Sequence, residues 1–491
     1  MLVEEDKKQQ EPNNASKFIK IKKFPFILGI VLLIFVTAGI TAIALSFGDE
    51  KVQSFAPIAA NQREEFDKLY STYDTIKNKY YKEVDDNTLI NGAINGMLES
   101  LDDPYSDYMN EAEAKSFHQS ISSSFEGIGA EIQEQDSRIM VVSPIKGSPA
   151  EKAGIKPNDI ILSVNGKSLH GMSSSEAVTH IRGKKGTKVE LMISRGNASE
   201  PIKITIIRDT IPIETVYAEM LPEGIAKVQV TSFSDNTAKD LRTALEDMEA
   251  KGMKGLILDL RGNPGGLLDQ AMEISSMFIP DGEVILQVED RAGKKEVIKS
   301  ENNGELKKPM VVLIDKGSAS ASEIVAAAVS EAAGIKLIGE KSFGKGTVQT
   351  AEDFKDGSNF KYTAAKWLTP KGNWIHKKGI KPDNAVALPS YANLLYISPE
   401  KELKQSSSSA EVKSAEAMLK AIGLDPGNVD GFFDQETKAA VTKFQKDHKL
   451  KATGTIKGST TMKLMEQLRE KILQNDTQVK KAADVLKKEI K

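Results

Sequence analysis

Near the N-terminus, a run of 22 residues, Phe26–Phe47, carries no charged side chain and divides the chain into parts that fold in different surroundings. About 20 apolar residues are enough for a helix to cross a bilayer. Four lysines precede the run within residues 17–23, and two carboxylates follow at residues 49 and 50. Since positive charge stays on the cytoplasmic side, this asymmetry predicts a cytoplasmic tail (1–25), a single-pass membrane anchor (26–47) and an extracytoplasmic remainder.

A cleaved signal peptide is the alternative interpretation of this run. Ala42-Ile43-Ala44 would then be its small-residue cleavage site. A retained anchor fits the length better, because the apolar core of a signal peptide is usually only about 7–15 residues. In both cases the residues that follow the run are expected outside the cytoplasm, and a retained anchor would hold them at the cell membrane.

Composition excludes several kinds of chemistry. The 491 residues include no cysteine, which rules out disulfides, thiol catalysis and thiolate metal sites. The five histidines include no pair at helical metal-binding spacing. With 66 basic and 69 acidic residues the net charge is −3, so nucleic acid is not an expected partner. Catalysis must therefore use oxygen nucleophiles, carboxylates or lysine, and no metal or cofactor is expected.

Patterning along the chain predicts a multidomain α+β protein. Apolar residues recur at helical spacing from Phe66 to Tyr80 and again from Thr88, whereas residues 121–210 read as short strands separated by glycine turns, with one helical stretch at 173–181. Apolar strands then alternate with helical stretches, which is typical of an α/β layer. The expected order after the anchor is a linker and helical region (48–120), a β domain (121–210), an α/β domain (211–390), a serine-rich linker (391–410), a helical module (411–470) and a helical tail (471–491).

A turn rich in small residues, Lys316–Ile324, lies between the predicted strand PMVVLID and the helical run IVAAAVSEAA. At such a turn the first N–H groups of the helix are unpaired, which suits a nucleophilic hydroxyl beside an oxyanion hole. Taken alone, the turn is a weak signal, because serine- and alanine-rich helix starts are more often simple N-caps.

A second glycine-rich segment, Gly339–Gln349, comes close to a phosphate-binding loop. That motif requires serine or threonine after its Gly-Lys pair to bind magnesium, and here the residue is Gly346. A nucleotide hydrolase is therefore excluded.

Together the two segments resemble the signature of the carboxyl-terminal processing (tail-specific) serine peptidases. That signature is a Ser-Ala-Ser-Ala-Ser-Glu turn followed by Phe-Gly-Lys-Gly-x-Val-Gln, and the likeness runs from about residue 62 to 387. Further matching segments are Leu101–Ser106, Phe125–Gly129, Leu258–Gly266, Leu368–Gly372 and Gly379–Asp383.

This resemblance implies roles for five residues. The nucleophile would be Ser320, its base Lys345, 25 residues later, and the group orienting the lysine Gln349. The oxyanion would be held by the backbone N–H groups of Ala321 and Gly266. On spacing alone, the glycine turn could equally be a close-packed loop without a catalytic role.

The chemistry of these residue types agrees with the resemblance. A serine hydroxyl needs an adjacent base, and lysine serves as that base in known Ser-Lys arrangements. Free lysine titrates near ~10.4, whereas a useful base should titrate nearer ~7–8, so we expect Lys345 to be buried and away from carboxylates. Gln349 can accept a hydrogen bond from the amine without adding a charge.

Residues 121–210 resemble a PDZ domain. The resemblance implies that the loop Gly127, Ile128, Gly129 and Ala130 binds the carboxylate of a peptide C-terminus, while the peptide adds as a strand to the sheet edge. Arg182, further along this segment, is either a surface charge or a contact to the catalytic domain.

Residues 411–470 resemble a small helical peptidoglycan-binding module, carried by motifs such as Val429–Phe433. The apolar residues of these motifs are expected in its core. Modules of this kind also bind proteins or nothing, so the fold is more specific than the ligand.

The sequence therefore predicts a membrane-anchored extracytoplasmic serine endopeptidase that recognises exposed C-terminal tails of proteins and docks on peptidoglycan. A non-catalytic PDZ scaffold bound to the cell wall is the alternative. The physiological substrate and the oligomeric state, including a homo-oligomer, stay open.

Overall fold

The computed structural model of the chain describes residues 64–122, 124–135, 137–196, 200–301 and 306–490. These residues separate into two compact units that divide between Ile90 and Asn91. The predicted cytoplasmic tail (1–25) and membrane anchor (26–47) lie outside the described residues. Within the described ranges, no helix combines the length and the apolar character needed to cross a membrane.

Two helices open the described part of the chain, as the spacing of apolar residues predicted. Helix α1 spans Asp67–Lys79 and helix α2 spans Asp86–Glu99. Neither helix contains a buried residue, and Leu69 and Met97 are among their exposed side chains. The apolar faces therefore belong to helices but cover no core among the described residues.

A β domain follows a short strand and a helix. The elements in chain order are β1 (Asp107–Met109), α3 (Glu111–Ile121), β2 (Ser124–Gly127), β3 (Ala130–Gln135), β4 (Arg138–Pro144), α4 (Pro149–Lys152), β5 (Ile160–Val164), β6 (Lys167–Ser168), α5 (Ser174–Ile181), β7 (Lys188–Ser194), β8 (Ile202–Ile207) and β9 (Asp209–Pro212). Strand β3 forms one edge of the main sheet, whose strand order is β3-β4-β5-β7-β8, and β2 pairs with β9 where the chain enters and leaves the domain. The helical stretch predicted at 173–181 is confirmed as α5, which is capped by Ser173.

The next domain is the predicted α/β layer. Its elements are β10 (Val216–Leu221), β11 (Ile225–Val230), α6 (Thr237–Ala250), β12 (Gly255–Asp259), α7 (Leu268–Ser276), β13 (Val284–Glu289), β14 (Lys295–Lys299), β15 (Met310–Ile314), α8 (Ala321–Ala333), β16 (Lys336–Gly339), β17 (Thr347–Asp353), β18 (Asn359–Leu368) and β19 (Asn384–Ala385). The domain is built on a six-stranded sheet of order β10-β11-β12-β15-β16-β19, in which all pairs from β11 onward are parallel. A second, antiparallel sheet contains β1, β13, β14, β17 and β18.

The parallel sheet decides where the loops meet. Strands β12 and β15 are buried along their whole length, since helices α6, α7 and α8 cover one face and a further helix covers the other. Parallel strands end at the same edge of a sheet. The turns that follow β12, β15 and β16 therefore lie close together at this edge.

The C-terminal module contains three helices, α9 (Ala410–Ala421), α10 (Gln435–Asp447) and α11 (Ser459–Gln474). The segment 391–410, expected to be a linker, is part of this fold. Ile397 and Leu403 are buried in the core of the module, Leu403 forms a bridge with Ile456, and Ser409 caps α9. The serines are therefore hydrogen-bonding residues of a folded segment.

The last helix, α12 (Thr477–Glu489), leaves the module and returns to the α/β domain. Its side chains cover the second face of the parallel sheet, with Ala482 and Leu486 fully buried against strand residues such as Ile257 and Leu313. The predicted tail is thus helical, and it is the outer layer of the α/β domain.

Candidate functional site

Ser320 lies at the turn between β15 and α8, in a conformation that a non-glycine residue rarely adopts. Its backbone angles are φ 54° and ψ −114°. Such a residue is held by its surroundings. On the N-terminal side of Ser320, the Ser318 hydroxyl donates to the Leu260 carbonyl at 2.8 Å. The Ala319 N–H donates to the Asn263 carbonyl at 3.0 Å.

The glycine turn after β12 packs directly against Ser320. A Cβ placed on Gly265 would lie 2.9 Å from the Ser320 Cβ, so the approach requires glycine. The next N–H group, that of Gly266, donates to no acceptor among the described residues. Ala321 is the first residue of α8, where a backbone N–H has no partner within the helix. Two N–H groups of the kind an oxyanion hole needs thus flank Ser320.

Lys345 lies in the loop between β16 and β17, and both tryptophans of the chain hold its backbone. Trp367 Nε1 donates to the Lys345 carbonyl at 2.8 Å, and Trp374 Nε1 donates to the Gly346 carbonyl at 2.8 Å. The side-chain Nζ lies 4.8 Å from the centre of the Tyr105 ring. These hydrogen bonds fix the backbone of the loop, and the fixed backbone restricts where the Lys345 side chain can lie.

The surroundings of Lys345 disfavour its charged form. Among the described residues, its Nζ forms neither an ion pair nor a hydrogen bond. Burial, and after it the positive charge of Lys361, lowers the pKa of Lys345. Asp103 and Glu323 partly oppose this shift, so carboxylates are closer than the sequence analysis expected. The lowered pKa is the direction required of a base.

Gln349 joins the same site through its amide. Its Nε2 group donates to Thr347 Oγ1 at 2.9 Å and to Thr363 Oγ1 at 3.2 Å. Thr363 Oγ1 in turn donates to Asp103 Oδ2 at 2.6 Å. Because both amide hydrogens point to threonines, the carbonyl oxygen of Gln349 is left as an acceptor.

One pocket of about 270 Å³ unites these side chains. Ser320, Lys345, Gln349, Ala321 and Gly266 all line it. Much of the remaining wall is apolar and comes from Phe117, Leu267, Leu268, Ile324, Val348 and Trp367. The structure thus brings together the five residues that the sequence analysis assigned to the catalytic centre.

Glu323, on the first turn of α8, was not assigned a role from the sequence. Its buried carboxylate accepts four hydrogen bonds from both sides of the pocket. The donors are the N–H groups of Ser320 (3.0 Å), Gly344 (2.7 Å) and Lys345 (2.8 Å) and the hydroxyl of Ser342 (2.5 Å). One signal was present, because glutamate three residues after serine is a capping pattern.

The predicted carboxylate-binding loop, Gly127–Ala130, lies in the β domain and does not line the pocket. Among the described residues, the N–H groups of Ile128 and Gly129 have no acceptor. Gly129 has φ 75°, and a Cβ there would lie 2.4 Å from the Ser148 Cβ. Since β3 begins at Ala130 and is an edge strand, these N–H groups adjoin a strand edge with no further strand paired to it among the described residues. On that strand the Glu134 N–H donates to Ser174 Oγ of α5 at 3.1 Å.

Arg182 lies at the surface of the β domain, beside the segment by which the chain enters it. Its guanidinium carbon lies 4.4 Å from the centre of the Phe125 ring, and its NH1 donates to Gln119 Oε1 at 3.4 Å. Both partners lie outside residues 211–390, and Arg182 is exposed. Of the two interpretations of Arg182, the structure therefore favours the surface charge.

Four family models match the chain. "Peptidase family S41" matches residues 224–386, "PDZ domain" matches 119–194, "Putative peptidoglycan binding domain" matches 408–465 and "Activating protease CtpB N-terminal domain" matches 34–113. The first covers the strands and loops that form the pocket, and the second covers the loop Gly127–Ala130. Along the chain the matched models follow the order N-terminal domain, PDZ domain, peptidase and peptidoglycan-binding domain.

Curated relatives match over most of their length. The chain is 54% identical to the carboxy-terminal processing protease CtpA of Bacillus subtilis, over 87% of this chain and 91% of the relative. It is 44% identical to CtpB of the same organism, over 82% and 85%. It is also 39% identical to a probable CtpA-like serine protease of Staphylococcus epidermidis, over 96% of both. The chain therefore belongs to the carboxy-terminal processing serine proteases of peptidase family S41, and it carries a PDZ domain and a C-terminal peptidoglycan-binding-type domain.

Proposed function

We propose that the chain is a serine endopeptidase in which Ser320 is the nucleophile, Lys345 its base and Gln349 the residue that orients the lysine. The observation that carries this proposal is the shared pocket, where a lysine with a lowered pKa and with no ionic partner among the described residues accompanies a serine in a strained turn. The free acceptor oxygen of Gln349 supports its role, because it can bind the amine without charging it.

The proposed reaction proceeds in two steps. Neutral Lys345 takes the proton of the Ser320 hydroxyl while Oγ attacks the scissile carbonyl carbon. The resulting oxyanion accepts hydrogen bonds from the N–H groups of Ala321 and Gly266. The C–N bond then breaks, the Lys345 ammonium protonates the leaving amine, and an acyl ester remains on Ser320. Water, deprotonated by Lys345, hydrolyses this ester.

The substrates in this proposal are proteins with exposed C-terminal tails. The free N–H groups of Ile128 and Gly129 suit a terminal carboxylate, and the residues before it pair with β3. Ala130, at the start of that strand, completes the loop.

The proposed location is the outer face of the cell membrane. Residues 26–47 anchor the chain with its N-terminus in the cytoplasm, and the module around residues 411–470 binds peptidoglycan. The uncharged length of the anchor and the charges flanking it support this arrangement.

Cleavage of a tail-bearing peptide by the full chain tests the proposal. Ser320→Ala should lower kcat/KM by at least about 1,000-fold while changing the free energy of unfolding by less than about 1 kcal/mol. Ser330→Ala, the same substitution on the same helix away from the pocket, is the matched control and should behave as wild type. Retained turnover in Ser320→Ala would contradict the assignment, and an inert wild type would favour the scaffold.

A further inference from the structure

Arg261 lies in a nearly closed polar cage at the base of the glycine turn. Its guanidinium donates to both oxygens of Asp259, Nε to Oδ1 at 2.8 Å and NH2 to Oδ2 at 2.7 Å. The other two contacts come from the far end of the chain. NH2 lies 2.9 Å from Asp476 Oδ2, and NH1 donates to Gln478 Oε1 at 2.8 Å.

The contacts of Arg261 in this cage are dominated by its attraction to two carboxylates. Burial alone would lower the pKa of Arg261, but the hydrogen bonds and charges of Asp259 and Asp476 outweigh burial and raise the pKa. The side chains of Arg261 and Asp476 are only 13% and 12% exposed. Solvent therefore screens this ion pair little, and the loss of either partner would be felt by the other.

Asp476 and Gln478 are fixed on their own side as well. Asp476 Oδ1 caps α12 by accepting from the N–H groups of Gln478 and Val479, at 3.0 and 2.9 Å. Gln478 is fully buried, and its Nε2 donates to the Val386 carbonyl at 2.8 Å. The start of α12 therefore offers Arg261 two preorganised acceptors.

A short path leads from Arg261 to the nucleophile. The next residue, Gly262, donates its N–H to Asp315 Oδ1 at 2.9 Å, in the turn that precedes Ser320. The carbonyl of Asn263 then accepts from the Ala319 N–H at 3.0 Å and from the Ser322 hydroxyl at 2.9 Å. The residues on both sides of Ser320 are thus bonded to the turn that Arg261 begins.

We propose that Asp476 and Gln478 are positioning residues of the peptidase: by holding Arg261, they keep the Gly262–Gly266 turn aligned with Ser320. The inference rests on the proposed function of Ser320 and Gly266. It places part of the active-site support in α12, beyond the C-terminal module. A displacement of about 1 Å at a catalytic group can cost about 100-fold in rate, so a partial loss of this support has a measurable effect.

Asp476→Asn in the full chain removes the negative charge of residue 476 and keeps its size and its helix cap. Asparagine caps a helix as well as aspartate does, so Oδ1 keeps its role while the pairing oxygen becomes an amide that cannot accept from Arg261. For a tail-bearing peptide, kcat should fall roughly 10- to 100-fold, with KM and tail binding unchanged within about twofold. The matched control is Lys487→Ala, also on α12, which removes an exposed ion pair with Glu223 of the peptidase domain and should leave both constants unchanged.

A double variant that moves the carboxylate from residue 476 to residue 478 distinguishes a positioning role from a general loss of stability. In Asp476→Asn with Gln478→Glu, a carboxylate again faces Arg261, now at NH1, but the bond from residue 478 to the Val386 carbonyl is lost, so part of the lost kcat should return. An unchanged kcat in Asp476→Asn overturns the inference, as does a loss that the double variant does not repair or a parallel loss of tail binding. If Asp476→Asn does not fold, Gln478→Ala keeps the cap and the ion pair and should again lower kcat with KM unchanged.

Ser320→Ala, measured beside these variants, separates the two claims. An active Ser320→Ala removes the proposed function itself. An inert Ser320→Ala together with an undiminished Asp476→Asn removes only the role of α12.

Discussion

Glu323 joins the two loops of the pocket at the scale of a single residue. A carboxylate can be buried without a cation when enough donors surround it, and here three backbone N–H groups and one hydroxyl do so. Two of these N–H groups belong to the proposed nucleophile and the proposed base themselves. The distance between Ser320 and Lys345 therefore depends on this one side chain.

Glu323→Gln should damage activity more than its small size change suggests. The amide has one acceptor oxygen instead of two, so its NH2 group faces backbone N–H donors that lose their partner. We expect kcat for a tail-bearing peptide to fall by about tenfold or more and the free energy of unfolding to fall by about 1–3 kcal/mol. Glu331→Gln on the same helix is the control and should be nearly neutral in both measurements. Wild-type kcat in Glu323→Gln would show that the carboxylate does not set the site.

The sequence alone predicted the main residues of the pocket, but not the residues that hold them in place. Ser320, Lys345 and Gln349 follow from motif order and from what a serine nucleophile requires, although their roles stay predictions. Glu323 was hidden because its partners come from a loop about 20 residues away, and such proximity is not visible in a local pattern. Trp367 and Trp374 were missed for the same reason, since indole contacts to a loop backbone have no sequence spacing.

At the scale of elements, strand β3 and the loop before it form the proposed tail-binding edge. Among the described residues no further strand pairs with this edge, where the Glu134 N–H donates to Ser174 Oγ, and the loop offers two N–H groups without an acceptor. A terminal carboxylate would accept charge-assisted hydrogen bonds there, whereas an amide end would not gain the same energy.

Amidation of the substrate's C-terminus should therefore weaken tail-dependent cleavage. Since hydrogen bonds to a charged group are worth about 1.5–3 kcal/mol, KM should rise roughly 10- to 100-fold for the amidated tail. The control is an unfolded substrate without the tail sequence, for which amidation should make little difference. Equal KM values for the free acid and the amide would argue against carboxylate capture by Gly127–Ala130.

The segment 391–410 illustrates how composition can mislead about an element. Its serines are typical of a linker, and its buried residues Ile397 and Leu403 are too sparse to show a period. The segment is ordered by backbone pairing with residues that are distant in sequence, as in the bridge between Ser408 and Phe432. Such pairing depends on the assembled module.

At the scale of the whole molecule, the C-terminal module is inserted into the peptidase domain. Thr477 Oγ1 donates to the Ala387 carbonyl at 2.6 Å, and Gln478 Nε2 donates to the neighbouring Val386 carbonyl. The two ends of the module thus lie side by side, and the helix that follows them, α12, covers the second face of the parallel sheet. The sequence could not show this, because strands buried on both faces have no polar side that would reveal a missing layer.

Two deletions should therefore differ. Replacing residues 389–475 by a short Gly-Ser linker keeps α12, so peptidase activity should persist while co-sedimentation with purified peptidoglycan is lost. Ending the chain after residue 475 removes α12 and exposes the face of the sheet that this helix covers. Burial of Leu486 alone stabilises the fold by about 2 kcal/mol, and the truncation loses it. This truncation should lose peptidase activity, whereas the module keeps its own core and should still co-sediment with peptidoglycan. Sedimentation of the first variant would place wall binding elsewhere, and full activity of the second would show α12 to be dispensable.

The central claim is that a neutral Lys345 activates Ser320, and the pH dependence of kcat/KM tests it most directly. Only the neutral amine accepts a proton, so the rate should rise with pH through a pKa below the ~10.4 of free lysine. Gln349→Glu adds a negative charge that raises this pKa, and its profile should move to higher pH.

Lys345→Arg completes the measurement, because guanidinium keeps the charge but does not deprotonate. The account predicts that this variant is inactive at every pH at which wild type cleaves the tail-bearing peptide. Substantial activity in Lys345→Arg, or a wild-type profile that does not rise with pH, would contradict the account. It would move the search for a base to His376, whose Nδ1 lies 3.4 Å from the Gly346 nitrogen.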